Sequence, residues 1–306
     1  MKKIFEMTVL MFGFVLLVHA KAADVKLYDS GNQAAEWVKA HPDRPEAKLI
    51  QEKIASVPQA IWLVGSSLDG FVKDVKTAKA KGETILFVVY NIPGRDNGNY
   101  SAGGLNNPAA YTTWLKQVAL VLGSVQAIAI VEPDALGLGQ GLSEGKRLER
   151  YGILANAVKI LKQDENCKVY LDVSQWVGPE AAANGLNQSG IEDSDGFCLN
   201  TSAFEKTDSC IAFGTKVSAL VGGKHFIVDT SRNGNGPWSA AQKDNPWCNP
   251  PGRALGSLPT FDTGNPLCDA FLWVKRPGES DGSCRGGPAA GTFWPEYAYD
   301  LAKNAK

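Results

Sequence analysis

Seven short apolar runs, separated by helix-like segments, constrain the fold of this chain more than any other feature. The runs are Ala60–Val64, Ile85–Tyr90, Ala127–Val131, Lys168–Val173, Gly196–Asn200, His225–Asp229 and Ala270–Lys275. They are continuous rather than alternating, which is typical of strands buried on both faces of a parallel sheet. Helical spacing of apolar residues predicts helices over Phe71–Lys81, Pro108–Gly123, Lys146–Gln163 and Glu205–Gly222. The alternation predicts repeated βαβ units, hence an α/β barrel or a doubly wound sheet.

Composition is compatible with one large domain. The chain has 306 residues, of which 44% are hydrophobic, and a formal net charge of -1. A near-neutral chain lacks the basic patch that binds nucleic acid or an anionic membrane, so we expect neither as a partner. Eight Trp and eight Tyr supply flat apolar rings that could either fill the core or stack on sugars. We expect a monomer without a cofactor.

The amino terminus has the pattern of an export signal. Lys2 and Lys3 precede a mainly apolar stretch over Met7–Val18, and Ala20-Lys21-Ala22 is an A-x-A cleavage site. We therefore expect a signal peptide over residues 1–22, a mature catalytic domain over residues 23–306, and a secreted protein.

Six cysteines follow that segment, and an even number in an exported chain favours disulfides. They are Cys167, Cys198, Cys210, Cys248, Cys268 and Cys284. None has C-x-x-C spacing and only two histidines follow residue 22, so no metal site is predicted. The stretch Ser231–Pro266 is rich in Gly, Pro and Asn and predicts a long ordered loop tied by a disulfide.

Polar residues collect where the predicted strands end, which in α/β barrels is where catalysis occurs. They are Tyr90, Arg95 and Asp96 after the second strand, Glu132 and Asp134 after the third, Asp172 and Trp176 at the fourth, Asn200 at the fifth, Asp229, Arg232 and Asn233 at the sixth, and Lys275, Glu279 and Asp281 at the seventh. Crowded carboxylates raise one another's pKa, as a general acid requires, and two carboxyls of different pKa can hydrolyse a glycosidic bond. Helix caps and structural ion pairs are the alternative explanation.

Eight segments in order resemble glycoside hydrolase family 6, the cellulases that comprise endoglucanases and cellobiohydrolases. They are "VVYNIPGRD", "IVEPDALG", "VYLDVSQW", "FCLNTSAF", "FIVDTSRNGNGP", "WCNPPGRALG", "DAFLWVKRPGESDGSC" and "GGPAAGTFWPEYA". The resemblance covers nearly the whole chain after residue 22. It implies a distorted seven-stranded parallel barrel and an inverting attack on the β-1,4-glucan of cellulose.

The resemblance also implies roles for single residues. Asp134 resembles the general acid that protonates the leaving oxygen, and Asp96 resembles the aspartate that raises the acid's pKa and relays protons from water. Asp281 resembles the proposed base, Asp172 the aspartate that supports charge near the reacting sugar, and Tyr90 the tyrosine beneath the distorted ring.

Further residues resemble substrate contacts. Polar contacts are implied for Lys275, Glu279, Asn200 and Arg232, and stacking platforms for Trp62 and Trp247. For Arg232 and Glu279, ion pairing at the rim is the alternative. Trp176 lies in a shortened segment, so its role as the leaving-group platform stays open.

One departure affects the proton route. The family's serine six residues after the RD aspartate is replaced by Ala102, with Ser101 beside it. Either Ser101 substitutes for that serine or protons take a different route.

A disulfide between Cys248 and Cys284 is implied by the resemblance, and it would restrain the loop that carries Asp281. Closing that loop would contribute about 3–4 kcal/mol on the chain-entropy model. Cys198 with Cys210 is a further candidate pair, and Cys167 with Cys268 a third.

The loops after Asp96 and Asp281 are short, which predicts an open cleft and an endoglucanase that cuts within the glucan chain. A cellobiohydrolase of the same family is the alternative. A non-catalytic glucan-binding protein on the same barrel and a metal-dependent hydrolase are the other hypotheses.

Overall fold

A computed structural model of the chain describes residues 25–239 and 245–306, so the predicted signal peptide lies outside the described residues. Seven parallel strands pair in chain order in one sheet. They are β1 Ile61–Leu63, β2 Ile85–Val89, β3 Ala127–Val131, β4 Cys167–Val173, β5 Gly196–Leu199, β6 His225–Asp229 and β7 Cys268–Leu272. All seven predicted strands are present.

Two of the helices precede β1, and the others follow strands. They are α1 Gln33–Ala40, α2 Ala47–Ile50, α3 Asp69–Lys81, α4 Pro108–Leu122, α5 Ala135–Gly139, α6 Glu144–Leu161, α7 Pro179–Gln188, α8 Thr207–Leu220 and α9 Pro295–Asn304. The four helices that apolar spacing predicts are confirmed as α3, α4, α6 and α8, with ends within two residues. None of the helices in the described ranges is long and apolar enough to cross a membrane.

The sheet curls until its two edges lie side by side. Just before β1, the Ala60 amide donates to the carbonyl of Trp273, the residue after β7 (3.0 Å). The Trp62 indole donates to the Val274 carbonyl (2.8 Å), and Arg276 Nε donates to the Ala60 carbonyl (2.8 Å). This closure, with strands in chain order, confirms a distorted seven-stranded parallel barrel rather than a doubly wound sheet.

The two faces of the sheet bury different side chains, because successive residues of a strand point to opposite faces. In β2, Leu86 and Val88 join a cluster inside the barrel, whereas Ile85, Phe87 and Val89 pack against the outer helices. The strands are therefore apolar on both faces, and a polar residue inside the barrel is tolerated only near a strand end.

The last strand differs from its prediction. β7 begins two residues earlier than Ala270 and ends at Leu272, so Lys275 lies beyond the sheet. The buried carboxylate of Asp229 explains the early end, because it accepts the backbone amides of Val274 (3.3 Å) and Lys275 (2.9 Å) in place of a strand partner.

Of the predicted disulfides, the Cys248–Cys284 bond is present and the two other candidate pairs are wrong. Cys198 points into the barrel and Cys210 lies in the outer helical layer, so the sheet separates them. Cys167 and Cys268 begin β4 and β7, with two strands between them. Neighbouring strands lie about 4.8 Å apart, which puts this pair beyond the reach of about 7 Å between bridged Cα atoms. Burial raises the pKa of these four thiols.

Candidate active site

The site is at the carboxyl ends of β2 to β7, and the turn after β3 is its most unusual backbone. Glu132 and Asp134 both have positive φ, 51° and 67°, which costs free energy for residues other than glycine and is found mainly at functional sites. Glu132 is fully buried, and its two carboxyl oxygens accept the Asn91 amide (2.8 and 3.1 Å). Glu132 therefore joins the ends of β2 and β3, while the strained turn presents Asp134 on the other side.

Asp134 has the environment of a proton donor. Its amide donates to Asp172 Oδ1 (2.8 Å), and its carboxyl accepts a long hydrogen bond from the Ser174 hydroxyl (3.4 Å). Burial raises the pKa of Asp134 to about 7, with further contributions from the charges of Asp96 and Asp281. None of the ion pairs among the described residues involves Asp134. It can therefore hold a proton near neutral pH.

Asp172 is the carboxyl that contacts the backbone of Asp134. One of its oxygens accepts the Asp134 amide, and the other is buried without a hydrogen-bond partner among the described residues. Burial, and next the charge of Asp134, raise the pKa of Asp172 well above its ordinary value. Each of these two carboxyls therefore disfavours a negative charge on the other.

Ser101 fills the place of the missing serine. Its amide (2.8 Å) and its hydroxyl (2.7 Å) both donate to Asp96 Oδ2, and the same hydroxyl lies 2.8 Å from the Tyr90 hydroxyl. Ala102 makes only backbone hydrogen bonds among the described residues: its carbonyl accepts from Arg95 (3.4 Å) and its amide donates to the Asn99 carbonyl (3.1 Å). Of the two alternatives, the structure therefore has Ser101 in contact with Asp96, in a continuous Tyr90–Ser101–Asp96 chain of hydrogen bonds.

Asp281 is held by a buried ion pair. Arg232 is completely buried, and its Nη1 lies 2.9 and 3.0 Å from the two oxygens of Asp281. Asn249 adds two bonds, since its amide donates to Asp281 (3.0 Å) and its side-chain oxygen accepts the Asp281 amide (2.8 Å). Arg232 is thus the partner in an ion pair rather than a substrate contact, since no part of its side chain is exposed.

Three other polar residues, Lys275, Glu279 and Asn200, lie at the rim and differ in how far their side chains are already engaged. Lys275 is buried, with Nζ 5.9 Å from the Trp62 ring, and burial lowers its pKa against the opposing charges of Asp281 and Glu279. Glu279 accepts from Gln33 Nε2 (2.7 Å) and pairs with Arg276 at 3.7 Å.

The Asn200 side chain is occupied entirely by backbone groups. Its amide nitrogen donates to the carbonyls of Asp229 (2.8 Å) and Glu205 (3.2 Å), and its oxygen accepts the Glu205 amide (2.9 Å). Asn200 is also 3% exposed, so it shapes the end of β5 rather than reaching into the groove.

The aromatic residues provide surfaces of different kinds. Trp62 is half-buried and packs edge-on against Tyr90, with ring centroids 5.1 Å apart. Trp176 is 63% exposed and Trp247 is 45% exposed, beside Tyr100. Rings held at a rim with one face free suit the apolar faces of sugars.

Sequence reasoning assigned no role to Ser174, Asn249 or Tyr100. Ser174 follows Asp172 by two residues, and that spacing along an extended chain indicates a shared face. Asn249 is adjacent to Cys248, so its position was accessible only once the disulfide was placed.

A further cavity of the described residues lies away from this site. A space of about 570 Å³ opens at the amino ends of the strands, lined by Tyr170, Phe261 and Asp269 among others. Both oxygens of Asp269 are engaged, by the Tyr170 hydroxyl and by His225 Nδ1, each at 2.7 Å. Among the described residues no group of three His, Cys, Asp or Glu side chains could hold a metal ion.

A parallel α/β barrel with a proton-holding carboxyl at a strand end is typical of hydrolases that use general acid catalysis. The family model for glycosyl hydrolases family 6 matches residues 20–305. The chain belongs to this family.

Relatives and solved structures agree with this assignment. The chain is 43% identical over 268 residues to endoglucanase A of Cellulomonas fimi and 38% identical over 313 residues to endoglucanase A of Thermobispora bispora. The alignments cover 85% and 96% of this chain but 57% and 66% of those relatives. The endoglucanase of Mycobacterium tuberculosis, solved with methyl-cellobiosyl-4-deoxy-4-thio-β-D-cellobioside, superposes with a TM-score of 0.86 at 41% identity, over 92% of this chain and 98% of that one.

Proposed function

We propose that this chain is an endo-β-1,4-glucanase that hydrolyses internal bonds of cellulose with inversion at the anomeric carbon. The observation that carries the proposal is Asp134, a half-buried carboxyl whose pKa is raised to about 7 and which has no ion pair among the described residues. A general acid needs this combination to deliver its proton near neutral pH. The endoglucanase names of the relatives support the endo mode.

In the proposed reaction, Asp134 donates its proton to the glycosidic oxygen as the bond from that oxygen to the anomeric carbon breaks. A water molecule attacks the anomeric carbon from the opposite face and releases a proton. The Tyr90–Ser101–Asp96 chain of hydrogen bonds supports Asp96 as the acceptor of that proton. One water is consumed; Asp96 then releases its proton to solvent and Asp134 regains one from solvent, so both carboxyls return to their starting states.

Asp281 has a different role in this scheme from the base that the resemblance implies. A carboxylate whose two oxygens both contact a buried guanidinium is a poor proton acceptor, because protonation would leave that cation unpaired. We assign Asp281 to electrostatic stabilisation of the positive charge that develops on the reacting sugar.

The test is product analysis by proton NMR on a soluble cello-oligosaccharide. We expect the α anomer first, and Asp134→Asn should lower turnover by about 10²–10⁴-fold while oligosaccharide affinity is retained. Asp43→Asn, a change of an exposed carboxyl far from the strand ends, is the control. Early β anomer would contradict inversion, and full activity of Asp134→Asn would contradict the acid assignment. Binding without hydrolysis by the unmodified chain would favour the non-catalytic hypothesis.

Secretion is part of the same proposal. The Cys248–Cys284 disulfide supports it, because such bonds persist in oxidising compartments. Amino-terminal sequencing of protein recovered from culture medium should begin near Ala23, and retention of Met1 would count against export.

A further inference from the structure

The two loops that flank the acid touch each other at the side chain of Tyr100. Tyr100 belongs to the loop after β2, and Gly282 to the loop after β7. A Cβ added to Gly282 would overlap the Cβ and the nearest ring atoms of Tyr100, so this side chain lies directly on the Gly282 backbone. Trp247 flanks the same ring, with centroids 6.0 Å apart. The short loops predicted an open cleft, but at this point the side chain of Tyr100 spans the gap.

This contact adjoins the two aspartates whose charges act on Asp134. Ser101, the neighbour of Tyr100, binds Asp96, and Gly282 follows Asp281; the charges of these two aspartates both raise the pKa of Asp134. Tyr100 is 45% exposed, whereas Tyr90, whose hydroxyl contacts Ser101, is 7% exposed. The Tyr100 side chain is therefore accessible from solvent where the two loops meet.

The ring is able to move while the loop beneath it stays in place. Two hydrogen bonds to Asp96 fix Ser101, and Arg95 Nε binds the Ser101 carbonyl (2.8 Å). Among the described residues the Tyr100 hydroxyl has no hydrogen-bond partner, so packing alone holds the ring. Rotation of this side chain would open the groove without disturbing the Tyr90–Ser101–Asp96 chain.

We propose that Tyr100 is a specificity-determining bridge, which rotates aside to admit an internal segment of glucan and, when closed, retains the chain between successive cuts. The proposal rests on the proposed function. Because ring packing of this kind contributes modestly, removing the bridge should change the balance between random cuts and repeated cuts by about two- to tenfold.

The experiment compares viscosity loss with reducing-end release on carboxymethylcellulose, and soluble with insoluble reducing ends on filter paper. Tyr100→Ala should increase viscosity loss per bond cut and the insoluble share, with cleavage of a short oligosaccharide nearly unchanged. Tyr100→Phe keeps the ring and should behave as the unmodified chain. A general loss of folding would lower all rates together and leave these ratios constant.

Gly282→Ala perturbs the same contact from the opposite loop, because its methyl would displace the ring. It should reproduce the Tyr100→Ala ratios, and the double variant should add nothing further. Gly286→Ala is the matched control, since it introduces a methyl in the same loop with no atom within 4 Å.

Unchanged ratios in Tyr100→Ala and Gly282→Ala, with the short oligosaccharide still cleaved at the unmodified rate, would overturn the bridge, and so would an equal change in Gly286→Ala. Failure of the proposed function is distinguishable from these results, since the unmodified chain would then release no reducing ends, or would release them without lowering the viscosity of carboxymethylcellulose.

Discussion

Replacing Asp96 by Asn should move the alkaline limb of the pH–activity profile toward lower pH. The pKa of Asp134 is raised from 3.8 to about 7, with burial as the largest cause and the charge of Asp96 second. The difference of about 3 corresponds to about 4 kcal/mol in favour of the protonated acid. Since the charge of Asp96 is a smaller cause than burial, its neutralisation should remove less than half of this upward shift. We expect the pKa of Asp134 to fall by about 1.

The assay is kcat/KM on a chromogenic cello-oligosaccharide between pH 4 and 9, since the alkaline limb of kcat/KM reports the pKa of the acid in the free enzyme. The unmodified enzyme should lose activity above about pH 7. Ser101→Ala is the control, because it weakens the hydrogen bonds to Asp96 but keeps its charge. Both variants should be slow, yet only Asp96→Asn should shift the limb. A limb that stays in place or moves to higher pH in Asp96→Asn would refute the electrostatic reasoning.

Three further predictions concern stability. Since the folded pKa of Asp134 is raised, its contribution to stability is full below about pH 4 and is lost as pH rises to about 7; Asp134→Asn should therefore melt about 7 °C higher than the unmodified chain at pH 8 and equally at pH 4, by calorimetry. Equal melting temperatures of the variant and the unmodified chain at both pH 8 and pH 4 would contradict this prediction. Arg232→Leu leaves Asp281 buried without its cation and should lower the free energy of unfolding, measured with urea, by about 3–5 kcal/mol. A loss of less than about 1 kcal/mol would show that the pair does not stabilise the fold. Reducing Cys248–Cys284, which spans 36 residues, should cost about 3–4 kcal/mol and lower kcat, and an unchanged midpoint would exclude that contribution.

The barrel was predictable because its signals are local. Continuous apolar runs such as Ala127–Val131 can satisfy only a strand with both faces covered, and the alternation with helices limits how such strands connect. The end of β7 was mispredicted because the carboxylate that ends it, Asp229, belongs to the preceding strand. Hydrogen bonds between distant segments are not encoded in the periodicity of either one.

The candidate site was predictable in its residue types and only partly in its contacts. Strand ends identified Asp134 and Asp96, but not that Arg232 would be completely buried against Asp281. The cysteines illustrate the same limit. An even count favours pairing, yet the side of the sheet that Cys198 faces decides whether a partner is in reach.

The sequence by itself determined the strand and helix order, the family and the set of carboxyls at the strand ends, because each depends on neighbours within a few residues. Only the tertiary structure decided that burial raises the pKa of Asp134, that Asp281 is ion-paired, and that Tyr100 contacts Gly282. The physical reason is that burial, charge proximity and ring packing depend on distances in space, and barrel closure brings together residues far apart in the chain.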